Sequence, residues 1–413
     1  MQPGDRVAVE TATASYEGIV MPSSTAEHLV IKGDDGYNVG ITREEASVDI
    51  LESGALDIDA GGDVATSVVT TDPELPTISL ISTGGTIAST VDYRTGAVTS
   101  RFDAEDVLKA VPELADRANY RGRVVANILS ENMTPNVWQD LAQAIYDELT
   151  EGVDGIVVMH GTDTMQYTAA AISFMVDTPV PIVFTGSQRS ADRPSSDNVM
   201  NAVCAVEAAK SDLAEVVVCM HATESDNRCA LHRGTRTRKH HTSRRDAFET
   251  VGRLPLGTVD FDDGTVTLRS GVKRRGASEP AIAPALESAV GLLKYVPGMD
   301  SSIYQHYEDK AGLVIEGTGL GHIHTDHIDH VAALIDGGTT VVMTSQCIEG
   351  RVCDRVYDTG RDLLEAGVIE GGDMLPETAM VKLMWALANS DDIASTMTDS
   401  LAGELTDRSA PWT

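Results

Sequence analysis

The stretch Leu80-Ile81-Ser82-Thr83-Gly84-Gly85-Thr86-Ile87-Ala88-Ser89 decides how this chain is read. The apolar run from Pro76 to Ile81 reads as a buried strand, and it breaks into Thr-Gly-Gly-Thr. Paired glycines after a strand let the backbone turn sharply and let a ligand approach the main chain. The two threonines put hydroxyls at the strand's carboxyl end, where open α/β sheets bind their ligands. Alone, such a turn serves structure as readily as binding. The arrangement recurs downstream: Gly155-Ile156-Val157-Val158-Met159 is an apolar run that ends in His160-Gly161-Thr162-Asp163-Thr164. Two strands of one sheet, each ending in a hydroxyl-bearing loop, predict a shared site.

Around these strands the chain alternates strand and helix. Thr134 followed by Pro135 predicts a helix start, a hydroxyl cap and then proline in the first turn. Val137, Leu141, Ile145 and Leu149 continue it as one apolar stripe at helical spacing. Met165 to Phe174 and Asn198 to Ala209 read as further helices, and 180–184 and 216–220 as buried strands. A second unit carries strands at 313–315 and 340–343, with helices around 328–335 and 376–388. Alternation of this kind predicts largely parallel, helix-covered sheets. The first 54 residues differ: short strands about every ten residues, separated by turn clusters such as Gly33-Asp34-Asp35-Gly36, predict a small all-β barrel. The expected fold class is therefore α/β, two α/β domains at 76–285 and 286–413 behind a barrel at 1–54 and a Gly/Ala/Ser/Thr/Asp-rich linker at 55–75.

Charge narrows the function classes. The chain carries 63 acidic and 31 basic residues, a formal charge of −32, and only 8 of the basic residues are lysine. Acid in this excess repels phosphate and argues against a nucleic-acid-binding protein. The acid is dispersed, with no dominating block, which fits a chain suited to concentrated salt, where charges are screened within a few ångströms. Five cysteines, at 204, 219, 229, 347 and 353, form no Cys-x-x-Cys pair. That pattern predicts neither a disulfide framework nor a zinc site, and it fits a reducing compartment. The amino terminus shows no apolar signal region. The most apolar long window, 155–176, contains His160 and Asp163 and is broken by glycine, so no membrane span is expected and a cytoplasmic protein is.

A hydroxyl is a poor nucleophile at neutral pH and needs a base. Thr83, Thr86, Thr162 and Thr164 are the candidate hydroxyls, and Asp163 can orient a base or hold a substrate ammonium. His160 is available as a base, although a histidine before a glycine turn more often packs a loop. A lysine serves where burial or neighbouring cations favour its neutral form. Lys239 lies in a cationic run, for Arg228, Arg233, Arg236, Arg238, Lys239, Arg244 and Arg245 share a window without a single acid. Such a run reads either as a solvated basic loop or as a site for an anion.

Thr83-Gly84-Gly85-Thr86-Ile87-Ala88 and His160-Gly161-Thr162-Asp163-Thr164 together resemble the signatures of the bacterial-type L-asparaginase/glutaminase family, from about Pro76 onward. The resemblance implies two asparaginase-like α/β domains and an amidohydrolase with no metal of its own. It implies Thr86 as nucleophile and a relay of Thr162, Lys239 and Asp163, with Asp163 also binding the substrate amino group. Lys239 stands seven residues before Asp246-Ala247-Phe248, the interval the family keeps. Ser130 and Glu131 resemble the segment that binds the substrate's α-carboxylate and α-amine, where the family usually has glutamine in place of Glu131. Tyr93 is the nearest candidate for the family's active-site tyrosine.

The barrel and the run from Arg236 to Phe248 are absent from free asparaginases. They resemble the archaeal, tRNA-dependent amidotransferase branch of the family. That branch implies a glutaminase, using glutamine or asparagine, whose ammonia passes to the amidotransferase's E subunit. This partner uses ATP and Mg²⁺ to convert Glu-tRNA(Gln) to Gln-tRNA(Gln), and it makes the main tRNA contact. The implied assembly is a heterodimer or heterotetramer with a homodimer core, without a membrane. A free cytoplasmic L-asparaginase is the alternative, and the barrel argues against it. A catalytically dead binding module is a third reading, and the intact Thr86, Thr162, Asp163 and Lys239 argue against that.

Overall fold

The computed structural model describes residues 5–11, 14–21, 28–33, 38–43, 46–54, 67–69, 72–84, 90–91, 98–99, 107, 111–189 and 195–408. The first five strands, β1 (Arg6–Thr11), β2 (Ser15–Met21), β3 (His28–Lys32), β4 (Asn38–Thr42) and β5 (Ala46–Glu52), form one antiparallel sheet ordered β4-β3-β2-β1-β5. Period-two alternation puts Val7, Val9, Val20, Leu29, Ile31 and Ile41 into its core. The fifth strand, Ala46-Ser-Val-Asp-Ile-Leu-Glu52, was not among the sequence expectations. It is polar and mostly exposed, so its pattern carries little signal.

Next in the chain come β6 (Ser67–Val69), β7 (Thr77–Ser82), a separate ribbon of β8 (Thr90–Val91) and β9 (Val98–Thr99), and β10 (Asn119–Val124). They are followed by β11 (Gly155–Met159), β12 (Val176–Asp177), β13 (Ile182–Thr185), β14 (Val216–His221) and β15 (Arg228–Arg233). Then come β16 (Thr237–Lys239), β17 (Phe248–Thr250), β18 (Gly257–Asp260), β19 (Val266–Leu268) and β20 (Ala281–Ile282). Nine of these make one sheet, ordered β19-β18-β15-β14-β13-β11-β7-β10-β6. The run β10-β7-β11-β13-β14 is parallel throughout, and the strands beyond it at either end are antiparallel. Within the stretch expected to be a linker, Ser67–Val69 is thus an edge strand, paired with 120–122.

Among the described residues, helices α1 (Pro135–Thr150), α2 (Met165–Met175) and α3 (Asn198–Lys210) cover this sheet. Alternate residues of each central strand feed opposite cores. Val157, Met159, Val183 and Val217 pack with Ala202, Val203 and Val206 of α3. Ile156, Val158, Ile182 and Val218 pack with Leu141 and Ile145 of α1 and Ala170 and Ile172 of α2. Burial on both faces is what makes these strands continuous apolar runs in the sequence. The start of α1 differs from expectation in its chemistry. Proline does occupy the first turn, but Thr134 makes no side-chain cap, and Trp138 is buried where Val137 is only half-buried.

The last unit is a parallel sheet β21-β22-β23-β24 of β21 (Val290–Lys294), β22 (Gly312–Gly317), β23 (Thr340–Ser345) and β24 (Ile369–Glu370). Its helices are α4 (Ile328–Asp336), α5 (Asp358–Glu365), α6 (Pro376–Asn389) and α7 (Ile393–Thr398). The α6 helix joins both bodies. Ala379, Leu383 and Ala386 pack on Val314 and Val342, while Val381 and Met384 enter the core shared with α1 and α2. No described helix is long and apolar enough to cross a membrane.

Candidate active site

β7 and β11 are parallel neighbours in register, Ser82 beside Met159, so the Thr-Gly-Gly-Thr and His-Gly-Thr-Asp-Thr loops leave the sheet side by side. The backbone N–H of Thr83 donates to the Met159 carbonyl at 3.1 Å and knits the two exits together. Gly84 has φ +107°, and a Cβ there would stand 2.4 Å from the Ile128 carbonyl oxygen. Only glycine meets both conditions. Thr83 itself is buried, which makes it part of the scaffold. Thr86 and Tyr93, expected as nucleophile and active-site tyrosine, lie outside the described residues.

The second loop meets two distant segments. One is Ser130, buried at the start of a short 3-10 turn (Ser130–Asn132), whose hydroxyl accepts from the Thr164 N–H at 2.9 Å. The Thr164 hydroxyl donates to the Ser130 carbonyl at 2.8 Å, and the two hydroxyl oxygens are 3.0 Å apart. Because the Thr164 proton is committed, the Ser130 hydroxyl proton is the one available to Thr164 Oγ1 or to a substrate. A Cβ on Gly161 would sit 2.7 Å from that of Ser130, so the approach depends on glycine. Glu131, next in the turn, is exposed.

The other segment is β16. Lys239 Nζ donates to Thr162 Oγ1 at 2.9 Å and to Asp163 Oδ1 at 2.6 Å. The lysine side chain is only 10% exposed, whereas Asp163 is 68% exposed. A buried amine therefore bridges a hydroxyl and a carboxylate at the carboxyl edge of a parallel sheet, and the carboxylate also faces outward. Three sequence-predicted residues, separated by up to 77 positions, meet within hydrogen-bond distance. This arrangement can pass a proton between the threonine and the lysine while the aspartate holds the lysine or a substrate cation.

His160 is no part of it. Its ring is buried edge-on to Phe184, its Nδ1 lies 2.7 Å from the Gly161 carbonyl, and its Nε2 has no hydrogen-bond partner among the described residues. Burial pushes its pKa down to about 4, so it is a neutral packing residue. The basic run is not an open anion site either. Six of its seven cations face acids from elsewhere in the chain: Arg233 meets Glu215, Arg236 meets Asp373, Arg238 meets Glu377, and Lys239 meets Asp163. Arg244 meets Asp246 and Glu224, and Arg245 meets Asp226. The first part of the run is folded into β15 and β16, whereas 240–245 form a largely exposed loop, so the solvated-loop reading holds for that second part.

Sequence reasoning missed the support behind the lysine. The Lys239 backbone N–H donates to Gln166 Oε1 at 2.7 Å, and Gln166 Nε2 donates to Glu377 Oε1 at 3.0 Å. No local pattern marks a contact between residues 211 positions apart. Among the described residues, no group of three or more His, Cys, Asp or Glu side chains is placed to hold a metal.

Residues 77–273 match the asparaginase N-terminal family, 289–398 the glutaminase/asparaginase C-terminal domain, and 1–51 the GatD N-terminal domain. Over 422 residues the chain is 66% identical to the D subunit of the glutamyl-tRNA(Gln) amidotransferase of Halobacterium salinarum, covering 100% of this chain and 99% of that one. The corresponding D subunit of Haloquadratum walsbyi is 62% identical over 437 residues, 99% of each chain. Among solved structures, the thermostable L-asparaginase from Thermococcus kodakarensis is 31% identical with a TM-score of 0.72, covering 80% of this chain and 99% of its own. Matched from end to end and built on the asparaginase fold, the chain belongs to the family of glutamyl-tRNA(Gln) amidotransferase D subunits.

Proposed function

We propose that this chain is the glutaminase subunit of a tRNA-dependent amidotransferase. It hydrolyses glutamine or asparagine to ammonia, which a partner uses to convert Glu-tRNA(Gln) to Gln-tRNA(Gln). The observation that carries the reading is Lys239 Nζ bridging Thr162 Oγ1 and Asp163 Oδ1, within a chain matched end to end by amidotransferase D subunits. The Thr86 hydroxyl attacks the side-chain amide carbon, and its proton leaves through the Thr162–Lys239 pair. That proton goes to the departing nitrogen, so ammonia leaves and an ester remains on Thr86. Water, deprotonated by the same pair, attacks the ester carbon, and the departing Thr86 oxygen takes that proton back, so glutamate or aspartate is released and the hydroxyl is regenerated. Exposed Asp163 binds the substrate ammonium, while Ser130 and Glu131 hold the α-carboxylate and α-amine. Tyr93 is assigned as the active-site tyrosine.

The same proposal divides the chain into an accessory barrel at 1–54, a linker at 55–75 and catalytic domains at 76–285 and 286–413. The GatD N-terminal match at residues 1–51 supports the first boundary. The partner is an E-type subunit that binds ATP, Mg²⁺ and most of the tRNA, in a heterodimer or heterotetramer around a homodimer core, in the cytoplasm. This chain needs no cofactor of its own.

The test is glutamine and asparagine hydrolysis in molar potassium chloride by the chain alone, with the E-type partner, and with that partner plus Glu-tRNA(Gln). Weak activity alone and clear stimulation in the full complex are expected. Full activity of the isolated chain, with asparagine preferred and no response to either addition, would leave a free L-asparaginase as the better reading.

A further inference from the structure

We propose that Gln166 and Glu377 are positioning residues for Lys239, and that the Glu377 carboxylate dictates which end of the Gln166 amide faces the lysine backbone. The proposal rests on the reading of Lys239 as the proton acceptor.

Lys239 ends a short strand, and β16 pairs only with β17 among the described residues. Its backbone N–H therefore has no neighbouring strand to meet on the outer side. Gln166 fills that gap from the first turn of α2, three residues after Asp163, with its Oε1 2.7 Å from the Lys239 nitrogen. A glutamine side chain stands where a third strand would put a carbonyl.

A side-chain amide has nearly the same shape when flipped but opposite polarity, so something must choose its orientation. Glu377 chooses it. An ionised carboxylate only accepts hydrogen bonds, so it takes the NH₂ end of Gln166, at 3.0 Å, and leaves the carbonyl end for Lys239. Arg238, 3.6 Å from the other carboxylate oxygen, favours that ionised form, as does its place in the first turn of α6. Burial and the Glu316 carboxylate oppose it and push its pKa up, and among the described residues the Tyr167 phenol also faces it. Glu377 belongs to the carboxy-terminal unit, whose contacts hold the whole segment before Lys239. Thr378 Oγ1 donates to the Thr235 carbonyl at 3.1 Å, Thr235 Oγ1 to the Ala402 carbonyl at 3.0 Å, and Arg236 to Asp373 at 2.9 Å. The lysine that reaches Thr162 is thus placed by both catalytic units.

The arrangement predicts a swap. Gln166→Glu keeps an acceptor toward Lys239 but sets two carboxylates face to face. Glu377→Gln keeps the shape, and its carbonyl can still accept from Gln166. The pair Gln166→Glu with Glu377→Gln restores both hydrogen bonds with the roles exchanged. Glutamine hydrolysis is measured in the assembled amidotransferase at molar potassium chloride, with thermal midpoints beside it. Gln166→Glu should lower kcat by tenfold or more with KM within about threefold, because a small displacement of a reacting group costs rate rather than binding. Glu377→Gln should cost about threefold, and the swapped pair should return to within about threefold of the parent. Full kcat in Gln166→Glu, or a swapped pair no better than that single variant, would overturn the positioning role. Lys239→Met is run alongside, and retained activity there would overturn the reading of Lys239 instead.

Discussion

Thr162, Asp163 and Lys239 act through one shared amine, so their removal should not multiply. Lys239→Met and Thr162→Val are each expected to lower glutamine hydrolysis on the order of 10²–10⁴-fold. The double variant should be little worse than either, because each single change already breaks the 2.9 Å link between Nζ and Oγ1. Steady-state kinetics of the four-member cycle reads this directly, and losses that multiply would show two independent roles. The motifs and the interval to Asp246 make these three residues legible in the sequence. The distances that make them a unit are not, because no spacing rule reaches across 77 residues. The basic run illustrates the opposite error. A sequence window sees only neighbouring charges, and here the neutralising acids, Glu215, Asp373 and Glu377, come from other elements.

Strands and helices with two buried faces were the legible elements. Gly155–Met159 matches its sequence reading residue for residue, because all five residues are buried. The edges were not legible: Ala46–Glu52 and Ser67–Val69 are short or polar, and only their pairing with β1 and β10 makes them strands. Equally hidden was the buried ion pair on α6. Lys382 Nζ lies 2.6 Å from Glu404 Oε1 with both side chains fully buried, and Glu404 also accepts from the Leu401 and Ala402 N–H groups. Lys382→Met leaves that carboxylate uncompensated and should cost about 3–5 kcal/mol. Lys382→Met with Glu404→Leu should recover part of the loss, and a smaller midpoint for the double variant in chemical denaturation would contradict this.

Asp354, in the loop before α5, gives a prediction about pH. It is fully buried, neither carboxylate oxygen has a hydrogen-bond partner among the described residues, and burial with the nearby Glu370 charge pushes its pKa up to about 7. The folded state therefore keeps a proton that the unfolded chain releases near its ordinary value of 3.8. This favourable contribution is complete below that value and is lost as pH rises through about 7. Asp354→Asn cannot ionise. Its stability relative to the parent should thus rise between about pH 4.5 and 8, by at most about 4 kcal/mol. Thermal midpoints of both proteins across that range supply the comparison, and a pH-independent difference would show that Asp354 titrates normally.

At the scale of the whole molecule the dominant quantity is the charge of −32 on 43.9 kDa. Interior pairs such as Arg236 with Asp373 and Lys382 with Glu404 are shielded from solvent ions and should respond little to salt. The uncompensated acids are mainly on the surface, where their repulsion opposes the compact state. Screening shortens from about 10 Å at 0.1 M salt to about 3 Å at 1 M. Potassium chloride should therefore raise the thermal midpoint steeply at first, by on the order of 10 °C, if relief of repulsion is worth several kcal/mol. The shape of the curve separates two causes. Screening is nearly complete once the Debye length falls below the spacing of neighbouring carboxylates, so the rise should bend over near about 1 M. A rise that continues without a bend to about 3 M would mean that preferential exclusion of salt from the surface, rather than screening, stabilises the fold. A midpoint that stays flat from low salt upward would remove the link between the acidic surface and concentrated salt altogether.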